Sequence, residues 1–202
     1  MTNTIIFDLG AVLIDWNPDY LYTKLFTDEA EMRHFLTNIA TSDWNEEQDA
    51  GRSLQDGTEW LVAKHPDHEA NIRAFYGRWE EMLGEPFHDV VEIFRKLKES
   101  GKYKIYALTN WSAETFGVAK ARYDFLHWFD GIVVSGEEKL RKPSRDFYQI
   151  LLDRYRINPE ETVFIDDNYR NVLAAREMGI PTIHFTSAAA LEEELPAYGV
   201  TI

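Results

Sequence analysis

From Pro86 to the end of the chain, short apolar runs and amphipathic stretches take turns, and that order leaves a chain few ways to fold. The runs at 104–108, 131–134, 162–165 and 182–185 are β-prone, whereas 90–98, the segment after Ser112, 145–155 and 171–178 space their apolar residues at helical intervals. Gly101 and Gly179 stand just past two of these helices, where a stop residue belongs. The alternation predicts an α/β fold with a doubly wound parallel sheet. Right-handed crossovers would bring the strand carboxyl ends to one edge, outside which ligands bind in such sheets. Thr4-Ile5-Ile6-Phe7 reads as one more strand, apolar on both faces as a central parallel strand must be.

Between the first strand and Pro86 the pattern is different. Leu21, Leu25 and Phe26, then Met32, Phe35 and Leu36, then Trp60 and Leu61, then Ile72, Phe75, Trp79 and Met82 recur at helical spacing, and no strand is expected over 19–83. The chain therefore reads as an α/β core formed by 1–15 and 86–202, with a helical insert at 16–85.

With 202 residues, 45% of them apolar, the chain can bury a core without disulfides or structural metal. Cysteine is absent, which removes thiol catalysis and thiolate metal sites and suits a reducing compartment. There is no basic leader and no apolar run of membrane-spanning length, so the expected location is the cytoplasm. A net charge of -14 makes nucleic acid and anionic membrane poor partners. Nothing in the sequence specifies an oligomeric state. The same charge opposes a phosphorylated substrate unless its site gathers cations of its own.

The ends of the expected strands carry residues that could do so. The first strand ends in Asp8, the next in Thr109-Asn110, a later loop carries Arg141-Lys142-Pro143, and the penultimate strand ends in Asp166-Asp167-Asn168. In a parallel sheet these points converge. Three converging carboxylates repel, and such a cluster raises its pKa values or recruits a cation. A hard, oxygen-preferring ion such as Mg²⁺ is the natural occupant. Lys142 and the backbone N–H groups of the helix after Thr109 would then face a phosphate. Plainer readings stand beside these. Asp8 and Gly10 suit a tight turn, Asp166-Asp167-Asn168 suits a helix N-cap, and a lysine before proline is usually solvated. The six histidines show no metal-ligand spacing.

Taken in order, Phe7-Asp8-Leu9-Gly10-Ala11-Val12-Leu13, Leu108-Thr109-Asn110-Trp111-Ser112, Arg141-Lys142-Pro143 and Phe164-Ile165-Asp166-Asp167-Asn168 resemble the four motifs of the haloacid dehalogenase-like superfamily. They span nearly the whole chain, and the helical insert falls where that family places its cap domain. The resemblance implies a Rossmannoid core and a phosphatase of small phosphorylated metabolites, sugar phosphates or the like. Asp8 would be the nucleophile that forms an aspartyl-phosphate. Thr109 would bind the phosphoryl oxygens, and Lys142 would orient Asp8 and neutralise charge. Mg²⁺ would be held by Asp8, Asp166, Asp167 and the carbonyl of Gly10. Asn110, Trp44, Asp49 and Arg52 are the residues expected to touch substrate.

One position departs from that pattern. Phosphatases of the superfamily usually carry a second aspartate two residues after the nucleophile, as general acid and base, and here that position is Gly10. Losing such a group costs about 10²- to 10⁴-fold in rate. Asp43, Glu46, Glu47 and Asp49 of the insert are candidates to supply the acid instead. Gly10 also keeps two other functions open. One is a 2-haloacid dehalogenase, in which the same aspartate attacks carbon without metal. The other is a weakly catalytic protein that binds a phosphorylated ligand.

Overall fold

Thr4–Phe7, strand β1, is buried along its whole length in the computed structural model, which describes residues 1–202. It pairs in parallel with β4 (Lys104–Thr109) on one side and β6 (Thr162–Asp166) on the other. The sheet is completed by β5 (Gly131–Val134) beside β4 and β7 (Thr182–His184) beside β6, in the order β5-β4-β1-β6-β7. After β1 the chain winds outward through β4 and β5, then crosses to the other side for β6 and β7. The strand order thus reverses at β1, which makes its carboxyl end the switch point where such sheets bind ligands. Phe7 is level with Ala107 and Ile165, so one residue further on Asp8 stands beside Asp166.

Alternation along β1 sorts its side chains into two layers. Ile5 and Phe7 face a large apolar cluster with Phe94 and Leu97 of α6 (His88–Glu99) and Leu191 of α11 (Ala188–Glu194). Ile6 faces a smaller one with Phe147 and Leu151 of α9 (Arg145–Tyr155) and Ala175 of α10 (Tyr169–Glu177). Ser112 caps α7 (Ala113–Arg122), accepting from the N–H of Glu114, and Asn168 caps α10 in the same manner. Both helices begin at the carboxyl edge of the sheet.

The insert consists of α1 (Asp19–Tyr22), α2 (Glu29–Asn38), α3 (Ser42–Asp49), α4 (Leu54–Lys64) and α5 (Glu69–Gly77). Asp28, Thr41 and Ser53 cap three of them through their side chains. Its apolar faces meet around Tyr22, Phe35, Trp44 and Phe75, and this packing is continuous with the large cluster of the core. A short antiparallel ribbon, β2 (Ile14–Trp16) with β3 (Leu83–Pro86), joins insert to core. Nothing in the residue pattern foretells this ribbon: its strands are three and four residues long, and one contains Gly84 and Pro86. Both expected insert boundaries fall inside it. One further short helix, α8 (Ser135–Glu138), follows β5. No helix is long and apolar enough to cross a membrane.

Candidate active site

Asp8 leaves β1 at the centre of the sheet edge, with its backbone N–H donating to the carbonyl of Ile165 at 2.9 Å and its Oδ1 accepting from the N–H of Leu9 at 2.7 Å. The chain then turns sharply. The N–H groups of Leu13 and Ile14 both donate to the carbonyl of Leu9, and Ala11 takes a left-handed φ of 57° that few residues other than glycine adopt. This turn leaves Gly10 facing a cavity of about 260 Å³ between core and insert.

Lys142 is a buried charge held between two carboxylates. It is 1% exposed, and its Nζ donates at 2.7 Å to Asp166 Oδ2 and lies 2.9 Å from Asp8 Oδ1. A lysine in that loop would ordinarily be solvated; here burial alone would lower its pKa, but Asp166 and Asp8 hold it above the usual lysine value. Its backbone is gripped by Asn110, whose Oδ1 accepts from the Lys142 N–H at 2.8 Å while its Nδ2 donates to the Lys142 carbonyl at 3.0 Å. Asn110 lines the cavity, and one bond from each of its polar atoms goes to Lys142, which leaves a second N–H and a second lone pair on the amide.

Carboxylate oxygens of Asp8, Asp166 and Asp167 lie within 4.8 Å of one another. The Asp8 carboxyl is pushed up to about 7, chiefly by burial; Lys142 pulls it down, and Asp166 and Asp167 push it up further. Burial and then Asp166 raise Asp167 as well. Three carboxylates answered by one lysine leave surplus negative charge, and an oxygen donor set of this kind fits a divalent cation. Asp166 is a poorer ligand than the sequence suggests. It accepts from Lys142 at 2.7 Å, from the Asn168 N–H at 2.8 Å, and on each oxygen from Asn171 at 3.1 Å. These bonds fill the roughly four acceptor positions of a carboxylate. Asp8 and Asp167 keep free ones. Thr109, at the end of β4, is fully buried with a partnerless hydroxyl, a costly condition that an incoming acceptor would relieve.

The cavity is lined from the core by Asp8, Gly10, Asn110, Trp111, Ser112, Thr115, Asp167, Asn168 and Asn171. From the insert come Ser42, Asn45, Glu46, Asp49 and Tyr76, with Trp16 and Trp79 at the joint. Of the insert residues expected at the site, Asp49 is there and Trp44 and Arg52 are not. Trp44 is 5% exposed, packs edge-on against Phe75 and donates its indole N–H to the carbonyl of Gly57 at 3.0 Å. Arg52 donates to Gln48 Oε1 at 2.5 Å and to the Trp44 carbonyl at 3.2 Å, and both residues line a groove on the far side of α3. The run 42–52 is too polar for periodicity to reveal which face of α3 turns inward. Asp43 and Glu47 line that outer groove too, whereas Glu46 lines the cavity and pairs with Arg141 at 2.7 Å and Arg170 at 3.2 Å. Trp16, Trp111, Asn45 and Tyr76 also line the site, and sequence reasoning missed them. Only the position of Trp111, next to Thr109-Asn110, could have drawn attention to it.

Residues 2–179 match the family of haloacid dehalogenase-like hydrolases. The chain belongs to that family. Among its relatives, sesquiterpene phosphatase astK of Aspergillus oryzae is 28% identical over 190 residues, covering 94% of this chain and 93% of the relative. Pyrophosphatase PpaX of Bacillus mycoides is 26% identical, covering 90% of this chain and 82% of its own. A haloacid dehalogenase-like enzyme of Bacteroides thetaiotaomicron, solved with magnesium and inorganic phosphate, superposes with a TM-score of 0.67 at 19% identity, covering 92% of this chain and 95% of that one. The protein is therefore a hydrolase with phosphatases among its relatives.

Proposed function

We propose that this hydrolase is a Mg²⁺-dependent phosphatase of small, singly phosphorylated metabolites and works through an aspartyl-phosphate on Asp8. The observation that carries the reading is the lysine Nζ shared between Asp8 and Asp166, with Asp167 in the same cluster. That arrangement sets a buried carboxylate at the cavity beside groups suited to hold a cation and a phosphate. Asp8, Asp167 and the carbonyl of Gly10 would hold Mg²⁺, which when bound neutralises phosphate charge and keeps Asp8 ionised. Lys142, held by Asp166 and Asn110, would fix the direction of Asp8 and face the phosphoryl oxygens, while Thr109 and the backbone N–H groups entering α7 would donate to them. The insert would act as a cap that limits substrate size.

The leaving group is best a neutral alcohol. Beyond Lys142, which is already committed to Asp8 and Asp166, no lysine or arginine reaches the cavity, whereas Glu46 and Asp49 line it, so a second phosphate would lack a partner. The indole N–H groups of Trp16 and Trp111 are buried without partners, and both residues line the cavity. Together with Ser42 and Asn45 they suit a hydroxylated, sugar-like group. The aromatic wall of Trp16, Tyr76, Trp79 and Trp111 also favours a second reading, a phosphorylated apolar alcohol of the terpenoid kind. Dehalogenation suits the site less well, because carbon attack needs no cation and would leave Asp167 without purpose. Phosphate release from hexose phosphates, prenyl phosphates, pyrophosphate and acyl phosphates, with and without Mg²⁺, tests the proposal. Turnover of a monophosphate ester only with Mg²⁺, and none by Asp8→Asn, is expected. Release of halide from 2-haloacids without phosphate release would overturn it.

A further inference from the structure

A phosphatase must give a proton to the departing alkoxide and later remove one from water, and Gly10 can do neither. We propose that Asp49, on the insert side of the cavity, is the catalytic acid and base of this enzyme. The proposal rests on the phosphatase reading above.

Three observations converge on Asp49. It lines the same cavity as Asp8 but comes from the opposite wall, at the carboxyl end of α3. Phosphoryl transfer holds the attacking and leaving oxygens in line, so a group that serves the leaving oxygen belongs across the phosphorus from the nucleophile. Both the backbone and the side chain of Asp49 are held in place. Ser135 Oγ donates to its backbone carbonyl at 2.6 Å, and Asn45 Nδ2 donates to its Oδ2 at 3.2 Å. Asn45 is itself oriented by the Tyr76 hydroxyl at 2.9 Å, which in turn accepts from Gln48 at 2.8 Å, and Gln48 accepts from Arg52. A chain of side-chain bonds therefore runs through the insert and ends on one carboxyl. The proton affinity of that carboxyl matches acid and base work near neutral pH. It is pushed up to about 7, chiefly by burial and next by Glu46, against the opposing pull of the Ser112 N–H and Arg141. The Tyr76 hydroxyl, on α5, and the Arg52 guanidinium are the remaining titratable groups in this network. Glu46, the other insert acid on the cavity wall, has one oxygen paired with Arg141 and the other with Arg170.

In the first step an Asp8 oxygen bonds to phosphorus as the ester P–O bond breaks, and the leaving oxygen takes the Asp49 proton and departs as the alcohol. The Asp49 carboxylate then takes a proton from water, whose oxygen attacks the phosphorus. The bond to Asp8 breaks, inorganic phosphate leaves and Asp49 is protonated again.

The test compares wild type, Asp49→Asn, Gly10→Asp and the double variant on glycerol 3-phosphate, whose alkoxide needs a proton, and p-nitrophenyl phosphate, whose phenolate does not. A Cβ at Gly10 meets nothing within 4 Å, so a side chain can be introduced there without a clash at its base. Asp49→Asn should lower kcat on glycerol 3-phosphate by about 10²- to 10⁴-fold with little change in KM. With p-nitrophenyl phosphate it should release a burst of phenol near one equivalent and then stall as phosphorylated Asp8 accumulates. Gly10→Asp in the same background should restore turnover of both esters. In the wild type, the fall of kcat on glycerol 3-phosphate above about pH 7 should disappear in Asp49→Asn, a readout that a purely structural role would not move. Equal losses on both esters with no burst and no rescue, or an unchanged kcat, would overturn the assignment while leaving the phosphatase reading intact. No phosphate release from either ester by the wild type would overturn both.

Discussion

Core and insert hold their polar residues in opposite ways. At the strand ends of the core, Lys142, Asp8, Asp166, Asn110 and Asn171 satisfy one another through short, buried bonds. Where the insert meets the core, contacts are sparser and more exposed: Glu46 with Arg141 and Arg170, the Leu54 N–H on Glu114 at 2.8 Å, and Ser135 on the Asp49 carbonyl. Buried charge pairs are costly to break and surface pairs are not. The difference implies a core whose polar contacts are costly to break and a seam whose polar contacts contribute less. Damage to each should look different.

Breaking the core's charge cluster should cost most. Lys142→Met leaves Asp8 and Asp166 uncompensated, so a loss of about 3–5 kcal/mol in urea unfolding, together with loss of turnover, is expected. Phe94→Ala in the core and Phe35→Ala in the insert sharpen the comparison, since both rings are fully buried in one continuous cluster. Each should cost about 3–5 kcal/mol within a single unfolding transition; a second transition in Phe35→Ala would mean that the insert folds apart from the core. Asn110→Ala removes the grip on the Lys142 backbone, and kcat should fall up to about 10²-fold while KM stays nearly constant.

The next effect is pH-dependent. The Asp49 carboxyl lies above its unfolded value of 3.8, at about 7, so in that window the folded protein binds more protons than the unfolded chain. Stability from this group is fully present below about pH 4 and is lost as pH rises through 7, on the order of 4 kcal/mol at most. Denaturant midpoints across that range should fall more steeply in the wild type than in Asp49→Asn, which keeps the contributions of Asp8 and Asp167. The smallest effect belongs to the seam. Glu46→Gln weakens partly exposed pairs worth under about 1 kcal/mol, so KM should shift by less than about 5-fold, and added salt should shrink the difference.

How legible each region is in the sequence follows from the same contrast. The α/β alternation, the helices of the insert and the convergence of Asp8, Thr109 and Asp166 can all be read from periodicity and position. Lys142 cannot, because before a proline it looks like any loop lysine; only the ordered motifs single it out. Trp44 and Arg52 lie on the side of α3 opposite to the one expected, because eleven mostly polar residues carry no phase signal. The ribbon of Ile14–Trp16 with Leu83–Pro86 is invisible in the sequence since each strand is too short to show alternation.

The measurement closest to the central claim is the fate of the phosphate during turnover. Wild-type protein would be mixed with acetyl phosphate and Mg²⁺, quenched in acid within the first turnovers, digested and mapped by mass spectrometry. A phosphoryl group on Asp8, absent without Mg²⁺ and absent in Asp8→Asn, is the expected result. Phosphate released with no adduct on Asp8 at any quench time, or an Asp8→Asn variant as active as the wild type, would contradict it.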